Sequence, residues 1–209
     1  LPDQKDWQPD QIVVPFAGSG TLLLESWLYF GKIPADLWRP QDFLELLPAT
    51  PLASLQSIRK RLRQRMEPSL PPGLLIEKDP EISQHLLAFV GNFKKPLSEV
   101  KAQAISVCGD FFTFAWPQAQ RIFAPLNPPY GLRLLQQGKN SPAEFYSQLG
   151  SHLKKCSASG CDLRGFILTP DEDSLQALRK QLGSAAILSV QSFSQGGQHI
   201  RCVAYRVRG

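Results

Sequence analysis

A chain of 209 residues with 43% hydrophobic and 20% charged side chains can bury a sizeable core, which excludes wholesale disorder. Its formal net charge of +5 points mildly toward a polyanionic partner. No run of about 18 uncharged apolar residues is present, so no membrane-spanning helix is expected. Residues 1–6 lack the basic-then-apolar layout of a signal peptide, so a cytoplasmic location is expected.

Residues 12–14 are a short apolar run ended by Pro15, as a buried strand would be. A Gly18-Ser19-Gly20 turn follows, and then a helix over 21–30. Residues 31–72 interrupt the pattern as a proline-flanked excursion with one helix, about 52–65. A second strand spans 74–76, and Asp79 with Pro80 opens a helix to about 92. A third strand over 104–108 ends at Gly109-Asp110, and a fourth over 121–125 runs into Asn127-Pro128-Pro129-Tyr130. Ser141, Pro142 and Glu144 make a capping box for a helix to about 155. A fifth strand over 165–169 and a helix over 171–182 lead to two β-rich stretches, 185–193 and 200–207, joined by a Gly196-Gly197 turn. Strands alternating with helices predict a doubly wound α/β domain. Its seven-stranded sheet would be mostly parallel, would end in an antiparallel hairpin, and would bind ligands at the carboxyl ends of its strands. Residues 1–209 are expected to form one domain.

The glycines of Phe16-Ala17-Gly18-Ser19-Gly20-Thr21 would let backbone approach a ligand at a helix N-terminus. Three other glycine loops are excluded. A P-loop needs lysine before Thr21, a nucleophile elbow needs glycine at Ala17, and the dinucleotide fingerprint needs glycine or alanine at Leu23. Glu77 closes the second strand, where a carboxylate can accept from ribose hydroxyls, and Asp110 closes the third, where it can accept from an adenine amine. Either acid alone would more often be a surface residue or a helix cap, but their placement after successive strands favours a nucleoside site.

Asn127-Pro128-Pro129-Tyr130 is the most specific element. Consecutive prolines hold the backbone extended, so the Asn127 side-chain oxygen and the Pro128 carbonyl can converge on one NH2 group. Accepting both protons turns the nitrogen lone pair toward an electrophile, and Tyr130 offers a face on which a base can stack. Flipping a duplex base costs a few kcal/mol, which favours an unpaired or loosely paired target.

The glycine segment and Asn127-Pro128-Pro129-Tyr130 together resemble amino-methyltransferases of the class I, Rossmann-like, S-adenosylmethionine-dependent fold. Residues 14–25, Gly131 and the Phe145-Tyr146 pair with Leu149 are similar to the THUMP-associated RNA guanine-N2 methyltransferases. The excursion, with Trp38 and its basic helix, resembles the bacterial 23S ribosomal RNA branch. The resemblance implies methyl transfer from S-adenosylmethionine to the N2 amine of a guanine in RNA, with no metal. Phe16, Ala17, Gly18, Ser19, Gly20 and Thr21 would hold the cofactor, Glu77 its ribose, Asp110 and Phe111 its adenine. Asn127, Pro128, Pro129 and Tyr130 would hold the target base. The sequence departs from the family at Val14, where an aspartate would ordinarily balance the cofactor's ammonium, and in lacking a THUMP region.

Arg59, Arg61 and Arg63 in the excursion, and Arg133 just past Tyr130, are candidate RNA contacts. A solvated helix face accounts equally well for the first three. Cys156 and Cys161 have a spacing zinc can use, but no second close pair completes a site, so free thiols are expected. The motif serves adenine N6 as well as guanine N2, so an N6-adenine methyltransferase acting on DNA or RNA is the near alternative. A non-catalytic RNA-binding module with a degenerate cofactor site is the alternative from another class. A nicotinamide-dependent dehydrogenase fits poorly, because the glycine spacing is wrong.

Overall fold

A computed structural model describes residues 7–34, 52–94, 100–129, 141–158, 160–195 and 197–209. These contain strands β1 (Gln11–Pro15), β2 (Gly73–Glu77), β3 (Ala104–Cys108), β4 (Arg121–Phe123), β5 (Asp162–Thr169), β6 (Ile187–Gln195) and β7 (Gln198–Arg208). They form one sheet in the order β3-β2-β1-β4-β5-β7-β6. The first five strands pair in parallel, and β7 runs antiparallel to both β5 and β6. The helices are α1 (Thr21–Phe30), α2 (Leu52–Arg63), α3 (Pro80–Lys94), α4 (Pro142–Ser157) and α5 (Glu172–Leu182). This is the doubly wound sheet with a closing hairpin that the alternation predicts.

Side chains alternate across the sheet and divide the core in two. Val13, Leu74, Ile76 and Ile122 face one way, onto Phe145, Leu149 and Leu153 of α4 and Leu175 and Leu178 of α5. Ile12, Val14, Leu75 and Phe123 face the other way, onto Leu23, Trp27 and Phe30 of α1 and Leu86 and Val90 of α3. The helices start where their caps dictate. Ser141 Oγ accepts from the Glu144 amide at 3.2 Å, Asp171 Oδ1 from Ser174 at 2.7 Å, and Asp79 Oδ1 from Glu81 at 2.9 Å.

β6 and β7 depart from the sequence reading by up to two residues at their ends, and β5 and β4 depart for identifiable reasons. β5 begins three residues earlier, at Asp162, because its charged start is internally satisfied. The Arg164 guanidinium bonds Asp162 at 2.7 Å and lies 4.5 Å over the Trp7 ring, leaving Arg164 buried. Burial alone would raise the Asp162 carboxyl pKa, but hydrogen bonds from Arg164 and Arg206 hold it below the usual range. β4 stops at Phe123 because Pro125 has no amide hydrogen to give. The Ala124 and Leu126 amides nevertheless continue onto Arg164 and Phe166 of β5, at 2.7 and 2.8 Å.

The excursion between α1 and β2 is closed at its base. The Glu67 amide donates to the Gly31 carbonyl at 3.0 Å, and Trp27 Nε1 donates to the Pro71 carbonyl at 2.9 Å. Gly31 follows α1 and Gly73 starts β2, so the excursion hangs from the amino end of the sheet. The β3–β4 crossover has no regular helix among its residues 109–120. Aromatic rings cover the sheet there instead: Phe111 is 5.8 Å from Trp116 and 4.6 Å from His152 of α4, centroid to centroid. Burial, assisted by Lys155, lowers the His152 pKa against the opposing pull of the Phe111 backbone hydrogen bond and Asp110.

Two predictions follow from this packing. A Cβ on Gly165 would lie 1.9 Å from the Ala124 carbonyl oxygen, whose partner is the Tyr205 hydroxyl at 2.8 Å. Gly165→Ala should cost about 3 kcal/mol, read as a lower urea midpoint at unchanged m-value. Folding favours neutral His152, so its contribution is complete above about pH 6.5 and is lost as pH falls through and below that value. Urea stability measured between about pH 7 and pH 5 should therefore fall less steeply in His152→Asn than in the parent. An unchanged slope would contradict this.

Candidate functional site

The strand order reverses between β1 and β4, which makes the carboxyl end of that pair the topological switch point. The register then aligns the sequence motifs. Pro15 pairs with Ile76 and Glu77 with Cys108, so Phe16 is level with Glu77 and both with Cys108. Ile12 pairs with Phe123, and counting on four residues brings Phe16 level with Asn127. Asn127, Phe16, Glu77 and the start of the Gly109-Asp110 turn thus share one row. At the usual strand spacing that row is about 14 Å long.

The glycine turn is held in an unusual backbone shape. Phe16, Gly18 and Gly20 have φ values of 54°, 51° and 77°. The left-handed region is natural for the two glycines and strained for Phe16. The Phe16 ring offsets that strain by packing 5.3 Å from Phe111 and 5.8 Å from Phe145. The glycines differ in purpose. A Cβ on Gly20 would crowd Leu86 and Phe89 of α3 at 3.0 and 3.2 Å, whereas one on Gly18 would find only the Phe16 carbonyl, at 3.9 Å. Gly20 therefore serves helix packing, while Gly18 leaves open space that a ligand can enter. Ala17 is buried, and the exposed Ser19 and Thr21 hydroxyls bond each other at 2.8 Å.

Glu77 ties this turn to its neighbours. Oε2 accepts from the Gly18 amide at 2.9 Å, and Oε1 accepts from the Lys78 and Asp79 amides at 2.9 and 3.1 Å. The Glu77 carbonyl accepts from the Gly109 amide at 2.9 Å. A carboxylate has about four acceptor positions, so one stays open on Oε2. Asp110 Oδ1 accepts from Phe112 at 2.9 Å, and Oδ2 lies 3.3 Å from Lys78 Nζ. Asp110 thus caps its own turn while its second oxygen meets an ammonium that is free to swing away, being mostly exposed. Phe111, beside it, is buried.

Asn127 is exposed immediately beyond Leu126, which bonds both Phe166 and Leu168 of β5. Pro128 behind it is buried and Pro129 half-buried, so Asn127 is accessible next to a packed proline. Tyr130 and Arg133 lie outside the described residues. Arg59, Arg61 and Arg63 are on α2, whose excursion is tethered at the opposite end of the sheet, so they are not brought to this row. Val14, where an aspartate was the family's pattern, is fully buried among Leu23, Trp27 and Leu75. A carboxylate would be costly in those surroundings.

Sequence reasoning gave no site role to His152, whose ring packs against the Phe111-Phe112 turn. The available signal is helical spacing: Phe145, Leu149 and His152 fall at i, i+4 and i+7, on one face of α4. Among the described residues no group of three His, Cys, Asp or Glu side chains could hold a metal ion, and no helix is long and apolar enough to cross a membrane. All four cysteines are free thiols.

No family model and no curated protein matches the chain. Solved structures do. SMU.472, a methyltransferase by provisional assignment, complexed with SAH, matches at 20% identity and a TM-score of 0.67 over 99% of this chain and 50% of its own. A possible methylase from Clostridium difficile 630 matches at 19% identity and 0.67 over 96% of this chain and 49% of its own. A predicted N6-adenine-specific DNA methylase from Listeria monocytogenes matches at 16% and 0.65 over 96% and 48%. The chain spans about half the length of each. Together with the strand order, these likenesses establish the fold: a Rossmann-like class I S-adenosylmethionine-dependent methyltransferase fold, with a mostly parallel seven-stranded sheet and a C-terminal antiparallel hairpin.

Proposed function

We propose that this chain binds S-adenosylmethionine and directs its methyl group to an exocyclic amine of a nucleic-acid base. The observation that carries the reading is the row Asn127–Phe16–Glu77–Cys108 at the switch point. It brings Asn127 level with the glycine turn and Glu77, and Asp110 follows Cys108 by two residues. The residues fit the cofactor, since Gly18 leaves open space, Glu77 keeps one acceptor position and the Asp110 carboxylate sits beside them. Glu77 would receive a ribose hydroxyl, Asp110 the adenine amine, and the segment from Phe16 to Thr21 the methionine portion. The cofactor supplies an electrophilic methyl group on sulfur.

The chain's own contribution is alignment and charge placement. The Asn127 side-chain oxygen and the Pro128 carbonyl accept the two amine hydrogens, which directs the nitrogen lone pair away from the base plane. Buried Pro128 keeps those two acceptors in fixed relation. Tyr130 would offer its ring face to the base. No covalent enzyme intermediate and no metal are needed.

The same acceptors suit adenine N6 and guanine N2, so the target base rests on other grounds. The description of the Listeria protein as a predicted N6-adenine-specific DNA methylase favours adenine N6. The longer motifs at residues 14–25 and 127–131 favour guanine N2 in RNA, ribosomal RNA being the class implied. A binding module without catalysis is disfavoured by the intact Asn127-Pro128-Pro129-Tyr130 motif, with Asn127 exposed.

Calorimetric titration should show S-adenosylmethionine binding that weakens about tenfold or more in Asp110→Ala, from loss of one hydrogen bond to a charged group. With RNA and DNA substrates, nucleoside mass spectrometry should show N6-methyladenosine or N2-methylguanosine. The product should fall about tenfold to a hundredfold in Asn127→Ala at unchanged cofactor affinity. Cofactor binding without any methylated nucleoside would leave the methyl acceptor wrong, and no binding by a folded sample would sink the proposal.

A further inference from the structure

Helices α4 and α5 return the chain from the carboxyl end of the sheet to its amino end, with acids in their first turns and bases in their last. Glu77, Asp79, Asp110, Glu144 and the run 171–173 lie at the carboxyl end, where the candidate site is. Lys154 and Lys155 end α4, Arg179 and Lys180 end α5, and Arg208 ends β7 opposite Asp162, the first residue of β5. All five therefore lie at the amino end. Basic residues in a helix's last turn complement its dipole, which accounts for part of this pattern. It does not account for Arg208, which is on a strand. Asp162 is already held by Arg164 and Arg206 at 2.7 and 2.8 Å, so Arg208, 4.0 Å away and mostly exposed, adds uncompensated charge. Lys154, Lys155, Arg179 and Lys180 have no carboxylate within ion-pair distance among the described residues.

These groups are close in space. Gly150 of α4 abuts Gln181 and Leu178 of α5, which brings the two basic last turns side by side. Gly209, next to Arg208, touches the Ser157 carbonyl at the end of α4. A groove of about 500 Å³ opens between α5 and the start of β6, and the described residues that line it, Gln176, Arg179, Lys180, Ser184 and Ile187, include no acid. The basic excursion helix is tethered at the same end. We propose that this face, from Arg208 across Lys154 and Lys155 to the Arg179–Lys180 groove, binds the phosphodiester backbone of a nucleic acid at a distance from the target base. The identity of the partner rests on the function proposed above. The face supplies sequence-independent affinity, while the row at the carboxyl end receives the base.

The test uses the full chain and two fluorescein-labelled probes, an RNA hairpin and a DNA duplex of equal length, titrated from about 50 to 200 mM salt. The triple variant Arg179→Gln, Lys180→Gln, Arg208→Gln should bind about tenfold or more weakly. Its plot of log affinity against log salt should be shallower by about 2 to 3, near 0.9 per lost duplex phosphate contact. A second variant, Lys154→Gln with Lys155→Gln, should shift both in the same direction, which covers failure of the first to fold. Loss with RNA alone, DNA alone or both identifies the backbone recognised. Unchanged affinity and slope in both folded variants overturn the proposal. So do the absence of binding by the parent and loss confined to Arg61→Gln with Arg63→Gln. Cofactor titration of the same variants should be unchanged. Backbone binding without cofactor binding would refute the proposed function and leave this surface standing.

Discussion

The carboxyl edge of the sheet depends on Glu77, whose side chain accepts the Gly18 amide and whose carbonyl accepts the Gly109 amide. Those bonds join the turns after β1, β2 and β3, which chain connectivity alone would leave independent. Each turn on its own is a short polar segment with little apolar area to bury, and so little means of fixing its shape. Joined at one residue, they form a shelf with a defined row of acceptors. The strained φ of Phe16 persists because ring packing on Phe111 and Phe145 ties the same turn to the core from below. A ligand meeting this shelf finds its ordering cost largely met by folding.

The two faces of the sheet are organised differently. On the α1–α3 side the core is mostly aliphatic around Trp27, Phe30 and Phe123, and Val14 belongs to that packing. On the α4–α5 side the helix-free β3–β4 crossover brings Phe111, Phe112 and Trp116 against His152. The same segment carries Asp110, so that acid is held by aromatic packing as well as by its own cap. Charge divides along the perpendicular direction, acids at the helix starts and bases at the helix ends.

Much of this was legible in the sequence because it is written in local chemistry. The Ser141 and Asp171 caps, the Gly-Ser-Gly turn and the apolar strand cores set their elements within a residue or two. The start of β5 was not legible. Asp162 and Arg164 precede the apolar run from 165, and they join the strand only because partners distant in sequence, Trp7 and Arg206, are brought beside them. His152 was missed for the same reason, since its role depends on a crossover folding over it. Glu77 was placed at a strand end, but its amide partners could not be read from spacing, because Gly18 lies 59 residues away. For Tyr130, Arg133 and Gly196 the sequence reading stands alone, since they lie outside the described residues.

The central claim is that one cofactor lies across the three turns joined at Glu77, next to Asn127. Amide hydrogen exchange of the chain with and without S-adenosylmethionine tests it most directly. The account predicts slowed exchange at residues 18–21, 78–79 and 110–113 together, with the amino-end turns around residues 158 and 183 unaffected. Protection confined to one turn, or appearing at the amino end instead, would contradict it.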